Sequence, residues 1–188
     1  MNKNLIPTFI KGQLVDLLPL NQDHIKLYLK WENNPKTRLY SRNVLPLTFN
    51  DLKKRIESQK DGIKNNINFE LWHNKDKKPI GFGEVSMINW FSRKASLGLL
   101  IGEPDYWDLK IGTETSALLI KYAFQELNLN KLTAYIIKQN IGSWKCAEKS
   151  GFKRIAIFER DEYVNGKYVD CYFYSLFKED WIKRLNLE

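Results

Sequence analysis

The stretch from Leu97 to Phe152 constrains the fold of this chain more than any other, because extended and helical patterns alternate along it. An apolar run ending at Ile101 is followed by a helix, a second extended run at Lys131 to Ile137, and a second helix from Ile141 to Ser150. In the first helix Ala117, Ile120, Phe124 and Leu127 recur at spacings of 3, 4 and 3, so they share one stripe, which packs on a sheet. Gly151 stands where a left-handed residue stops the second helix. A strand, helix, strand, helix unit puts the chain in the α/β (α+β) class.

The flanking segments extend the sheet. Gln13 to Leu18 alternates weakly and reads as a first strand, after which Asn21 caps a helix through Ile25, Tyr28, Leu29 and Trp31 that Pro35 closes. A second helix is predicted from about Asn50 to Gln59, opened by Thr48 and Asp51 in a capping arrangement and ended by Asp61-Gly62. The runs Ile67 to Trp72, Pro79 to Trp90 and Ala95 to Ile101, separated by the polar turns HNKDKK and FSRK, predict an antiparallel meander. Downstream, Arg154 to Val164 and Tyr168 to Phe177 are joined by Asn165-Gly166, the strongest short hairpin signal. No repeat or low-complexity linker interrupts the series, and 188 residues with 43% apolar side chains suffice for one core, so a single domain over residues 1–188 is expected.

Composition removes several classes of function. No stretch approaches the roughly 20 apolar residues of a membrane span, and the opening MNKNLIPTFIKG has no apolar block of a secretory signal, so the expected location is cytoplasmic. Cys146 and Cys171 lack metal-ligand spacing and a His cluster, which argues against a zinc site or a disulfide framework; Cys146 lies in a helical segment with no His to activate it. The net charge of +8 favours an anionic partner such as a phosphorylated cofactor, an acidic substrate, RNA or the ribosome. The basic knots Lys53-Lys54-Arg55 and Lys75 to Lys78 are not interleaved with aromatics, so they read as solvated surface and no specific nucleic acid is expected.

Two segments carry candidate chemistry. A strand that feeds directly into a helix near Gly112 leaves free backbone N–H groups at the helix start, which attract phosphate; Gly112 permits close approach and Thr113 adds a hydroxyl. Gln139-Asn140-Ile141-Gly142-Ser143 opens the second helix, with Asn140 and Ser143 both suited to capping. The two segments would lie at the same end of neighbouring strands.

These residues carry a resemblance. Trp31-Glu32-Asn33-Asn34-Pro35, Ile80-Gly81, Leu97-Gly98, Tyr106-Trp107, Ile111-Gly112-Thr113-Glu114, Asn140 with Ser143, Glu148-Lys149-Ser150-Gly151-Phe152 and the Asn165-Gly166 hairpin follow one another over nearly the whole chain. In this order the sequence resembles the GNAT acetyltransferase superfamily, in its RimJ/RimL-type branch of ribosomal-protein N-terminal acetyltransferases. The resemblance implies a mixed, mostly antiparallel sheet whose splayed central strands, Ala95 to Ile101 and Lys131 to Ile137, hold the pantetheine arm of acetyl-CoA. It implies backbone contacts to that arm at Leu99, Leu100 and Ile101, pyrophosphate contacts at Lys110, Ile111, Gly112 and Thr113, and a contact from the Asn140 side chain. The turn departs from the family pattern of Arg or Gln, two residues, Gly, one residue, then Gly or Ala: Lys110 stands at the first glycine position.

The implied mechanism is direct attack of an amine on the thioester, without a metal. Glu84, on the strand before the central pair, is the candidate base, and the chain departs from the family in having Ser96 where a Glu often stands; Ser143 is the candidate hydrogen-bond donor to the leaving sulfur, and a strand N–H near Leu100 would face the oxyanion. Among the aromatic residues, Trp31, Trp90 and Tyr168 are candidates to line the acceptor cleft, and Asp170 to attract an ammonium. Three acceptor readings stand: a protein N-terminal α-amine, a small amine such as a polyamine, amino sugar or aminoglycoside, and a non-catalytic CoA- or RNA-binding module. The expected state is a monomer or a homodimer.

Overall fold

The computed structural model describes residues 7–41, 43–57 and 63–187. In chain order the elements are β1 (Val15–Pro19), a short 3-10 turn (Gln22–His24), α1 (Ile25–Asn33), α2 (Pro35–Arg38), α3 (Phe49–Glu57), β2 (Ile67–His73), β3 (Lys78–Asn89) and β4 (Lys94–Ile101). After a second 3-10 turn (Pro104–Tyr106) come α4 (Ile111–Gln125), β5 (Lys131–Ile137), α5 (Ile141–Lys149), β6 (Lys153–Val164), β7 (Lys167–Phe177) and α6 (Lys178–Leu185). The strands form one seven-stranded sheet in the order β1-β2-β3-β4-β5-β7-β6. Only β4 and β5 run parallel; every other neighbouring pair is antiparallel.

Most sequence expectations hold, and the differences have local causes. β1 starts at Val15 rather than Gln13 because the N–H groups of Gln13 and Leu14 donate to Glu114 Oε1, at 2.6 and 2.8 Å, and not to a neighbouring strand. Thr48 and Asp51 form a reciprocal capping box, with Thr48 N donating to Asp51 Oδ2 at 2.8 Å and Asp51 N to Thr48 Oγ1 at 3.3 Å. The expected end of α3, at Gln59 and Asp61-Gly62, lies outside the described residues. Pro35 does more than close α1: it opens α2, with the Asn34 side chain accepting from Lys36 N. The stripe on α4 is rotated from the expected one. Ala117 is exposed, while Leu119, Ile120, Ala123 and Phe124 are buried. Helix α6 was not expected; Trp181 anchors it on Phe124, ring centroids 5.5 Å apart.

Two apolar clusters lie on opposite faces of the sheet. On one, α4 and its neighbours cover Leu17, Phe69, Leu71, Val85, Leu132 and Ala134. On the other, α1 and α3 bury Ile25, Tyr28, Trp31, Leu52 and Ile56 against Phe82 and Leu100. Each such side chain taken from water contributes about 1.5–3 kcal/mol. A buried carboxylate ties α1 to β2: Glu70, fully buried, accepts from Tyr28 Oη at 2.5 Å and lies 2.6 Å from His24 Nδ1.

At the far edge β6 is exposed along most of its 12 residues, and its register with β7 slips twice, between Arg154 and Ala156 and between Phe158 and Glu162. The hairpin closes through Asn165 and Gly166, both at positive φ as the sequence requires.

Trp31 fixes the junction between α1 and the end of β4, and it does so by resting on a residue with no side chain. A Cβ at Gly102 would lie 2.2 Å from the Trp31 ring. Gly102→Ala is therefore expected to destabilise the protein by about 2–3 kcal/mol, read as a lower urea midpoint, since a fully buried indole has no room to retreat.

Candidate active site

The centre of the sheet is not a continuous ladder. β4 and β5 pair only at Lys94–Lys131, Ala95–Leu132 and Ser96–Thr133, although both strands run on to Ile101 and Ile137. β4 stays paired with β3 as far as Ile101, so the open edge from Leu97 onward faces a gap between β4 and β5. Consistent with this, Leu97 to Ile101 are only partly buried although they belong to a central strand. Gly102 N donates to Ile80 O on the β3 side, and by alternation the polar groups of Leu99 and Ile101 face the gap while the Leu100 N–H faces β3. The N–H groups that face the gap are thus those of Leu99 and Ile101 and not, as expected, that of Leu100. The Ile101 carbonyl accepts from Trp107 Nε1 at 2.9 Å.

Both helices that follow these strands begin at the mouth of the gap. Lys110 caps α4 in a left-handed conformation, φ 63°, and contributes no side-chain hydrogen bond to the cap. Asp108, at φ 60°, is left-handed too. The first-turn N–H groups of Ile111, Gly112 and Thr113 are thereby left without a side-chain cap at the positive end of a 15-residue helix. A Cβ at Gly112 would meet only the Cys146, Ile101 and Leu99 side chains, at 3.6 Å or more, so internal packing does not require glycine there. At the start of α5, Asn140 Oδ1 accepts from Ser143 N at 3.3 Å, which commits that oxygen to capping and leaves the Asn140 amide nitrogen and the Ser143 hydroxyl outside the cap. Cys146, within α5, brings its sulfur close to Gly112 at the start of α4; burial pushes its thiol pKa up, which suits packing and not nucleophilic attack. An extended phosphorylated ligand with amide groups along its arm suits this arrangement, with strand groups for the arm and two helix N-termini for the phosphates.

The face covered by α1 and α3 presents the carboxylates. Glu84 on β3 is opposite Gly98, and its carboxylate occupies the space that a Gly98 side chain would fill, with Glu84 Oε1 2.9 Å from that Cβ position. It is 30% exposed and has Arg55 Nη2 at 3.7 Å. Arg55 also donates to Glu32 Oε1 at 3.0 Å, and the Glu32 side chain is only 8% exposed. Across the gap Tyr135, Phe158 and Phe173 form an aromatic wall, with Tyr135 donating to Asp161. Burial and that hydrogen bond push the Tyr135 hydroxyl well above its usual range.

The remaining acceptor candidates separate. Trp31 is fully buried in the core and donates to Glu103 Oε1, so it cannot contact an acceptor. Trp90 sits in the β3–β4 turn and donates to Lys64 O, at the paired end of β4 and away from the gap's mouth. Tyr168 is 67% exposed against Tyr163 near the hairpin tip. Asp170 is bonded to Lys138 Nζ at 2.9 Å, which with Arg160 N holds its carboxyl below the usual range. Arg55, in the basic knot Lys53-Lys54-Arg55, is partly exposed yet engages two carboxylates that the sequence does not pair with it. The signal that could have found it is the buried pair Leu52 and Ile56, which turns the adjacent Arg55 toward α1 and β3.

The sequence model of the acetyltransferase (GNAT) domain matches residues 15–153, most of the chain. This protein belongs to the GNAT acetyltransferase family. Among curated GNAT relatives, the "Putative ribosomal N-acetyltransferase YdaF" of Bacillus subtilis is 26% identical over 170 residues, covering 90% of this chain and 86% of that protein. The "Uncharacterized N-acetyltransferase p20" of Bacillus licheniformis is 28% identical over 102 residues, 54% of this chain and 57% of that one. The GNAT fold is matched by the spermidine N-acetyltransferase of Vibrio cholerae, solved with CoA and spermine, at a TM-score of 0.83 and 19% identity over 91% of this chain and 99% of that one.

The left-handed Lys110 at the start of α4 gives a direct test of the strain in this turn. A side chain in that conformation costs about 1–2 kcal/mol, so Lys110→Gly is expected to raise stability by about 1 kcal/mol in urea denaturation once glycine's larger unfolded-state entropy is deducted.

Proposed function

We propose that this acetyl-CoA-dependent N-acetyltransferase acts on the α-amine of a protein N-terminus. The observation that carries the reading is the gap between β4 and β5, with the Glu84 carboxylate on its acceptor side. Beyond the gap the hairpin rim is open, with Tyr163 and Tyr168 60% and 67% exposed, which suits a peptide lying across the surface. The relatedness to the YdaF protein over 90% of the chain supports the same class of acceptor. A surface carrying +8 suits approach to an anionic, RNA-rich particle. A polyamine acceptor is the second reading, favoured by the carboxylates of Glu32, Glu84 and Asp161 around the gap and by the fold shared with the Vibrio cholerae enzyme.

In the proposed mechanism acetyl-CoA supplies the activated acetyl group, and the chain's residues do the rest. The helix starts at Ile111 to Thr113 and at Asn140 hold the donor, the former through backbone N–H groups and the latter through its amide nitrogen. Glu84 takes a proton from the bound acceptor ammonium, directly or through water, and the neutral amine so formed attacks the thioester carbonyl and expels the CoA thiolate. The gap-facing N–H of Leu99 or Ile101 donates to the oxygen on which charge develops, a contribution of about 2.7–4 kcal/mol per well-placed donor. The Ser143 hydroxyl donates a hydrogen bond to the departing sulfur.

Parallel kinetics with an N-terminal peptide and with spermidine decide between the acceptors. A higher kcat/KM for the peptide is expected, and a clear preference for spermidine would replace this reading with the second. Glu84→Gln is expected to lower kcat about 100-fold or more with little change in acetyl-CoA affinity. Ser143→Ala is expected to lower kcat by about tenfold, one hydrogen bond's worth, while calorimetry shows acetyl-CoA binding unchanged; weakened binding would assign Ser143 to the donor site instead.

A further inference from the structure

Resting on the reading that the acceptor amine meets Glu84, we infer that Arg55 is a built-in cation that restricts this enzyme to acceptors with a single positive charge at the reactive end. The guanidinium bridges two carboxylates from different elements, Glu32 on α1 at 3.0 Å and Glu84 on β3 at 3.7 Å. Its placement is not accidental to the surface. Leu52 and Ile56 are buried on the inner stripe of α3, and the chain between them carries Arg55 over α1 and β3. Together with Glu32, Tyr28, Asn68 and Phe82, Arg55 lines a small depression on the acceptor face of the sheet.

The charge count gives this arrangement its consequence. Two carboxylates and one guanidinium sum to a formal charge of −1, enough to favour one ammonium. A polyamine brings a second ammonium, which needs a second carboxylate near the reactive one. Glu32 is that carboxylate, but Arg55 already occupies it, and a second cation would be placed against the guanidinium. The Glu32 side chain, 8% exposed, could not release Arg55 without standing desolvated and unpaired. Removing the guanidinium charge leaves −2 on the same face, a site for a dication. The polyamine-accepting chemistry is thus present in the two acids and suppressed by one resident side chain.

The test compares kcat/KM for spermidine with that for a lysine-free peptide bearing one N-terminal amine, in the wild type, Arg55→Gln and Arg55→Lys. The spermidine-to-peptide ratio is expected to rise about tenfold in R55Q, the order expected from one charge in a partly exposed site, and to stay within about threefold of wild type in R55K, which keeps the charge. An unchanged ratio in R55Q, or an equal rise in R55K, overturns the assignment. A wild type that prefers spermidine overturns the N-terminal acceptor and the restriction together, whereas a wild type that prefers the peptide while the R55Q ratio stays unchanged overturns the restriction alone. Should neither amine be turned over, calorimetric titration of spermidine into the CoA-loaded variants makes the same comparison. If R55Q does not fold, Glu32→Gln removes a negative charge from the same three groups and is expected to move the ratio the other way, about threefold against spermidine; no movement overturns the assignment as well.

Discussion

After Ser96 and Thr133 the backbones of β4 and β5 stop exchanging hydrogen bonds, and that break in the ladder organises the molecule around it. Backbone polar groups in the middle of a sheet carry a cost of about 1–3 kcal/mol each when buried without partners. The fold keeps the parted edges accessible instead of closing them, and it braces both sides so that they cannot collapse together. β4 is held by unbroken pairing with β3 from Ser96 to Ile101, and β5 by seven paired positions with β7. The cavity mouth is then bounded by the two helices those strands lead into. The groups that the fold leaves open at this mouth are backbone N–H and C=O groups, which the left-handed side chains at Asp108 and Lys110 do not displace.

The electrostatics of the two surfaces differ in sign. The chain as a whole is strongly basic, whereas the sheet face under α1 and α3 gathers Glu32, Glu70 and Glu84 on one side of the gap, with Asp161 on the other. Glu70 is spent internally on Tyr28 and His24, and Asp161 on Tyr135. Of these acids Glu84 alone combines partial exposure with a seat at the gap, a seat that exists because Gly98 has no side chain.

Much of this was legible in the sequence. The strand and helix series, the Asn165-Gly166 turn and the two candidate helix starts follow from local patterns, since turn chemistry and capping are decided within a few residues. What escaped depended on contacts between distant segments. Gln13 and Leu14 leave the strand pattern because a carboxylate about 100 residues later claims their N–H groups. Trp31 belongs to the recognisable family pattern yet serves packing, because its partner Gly102 lies across the fold. The stripe on α4 was misplaced because Thr115 and Ser116, polar by composition, are buried and Ala117 is not. Arg55 was hidden inside a basic run whose members point in different directions once wound on a helix.

The outer strand β6 carries a consequence of its own. A long, uncovered strand at the margin of a sheet is a template on which another molecule's strand can dock, and successive docking leads to aggregates. Here that growth is obstructed. The register slip between Phe158 and Glu162 removes the regular spacing of donors and acceptors just where Arg160 turns left-handed, and Glu159, Arg160, Asp161 and Glu162 crowd charge onto the same stretch. The irregular half of β6 thereby keeps a sheet with an open centre from also offering a regular template along its rim.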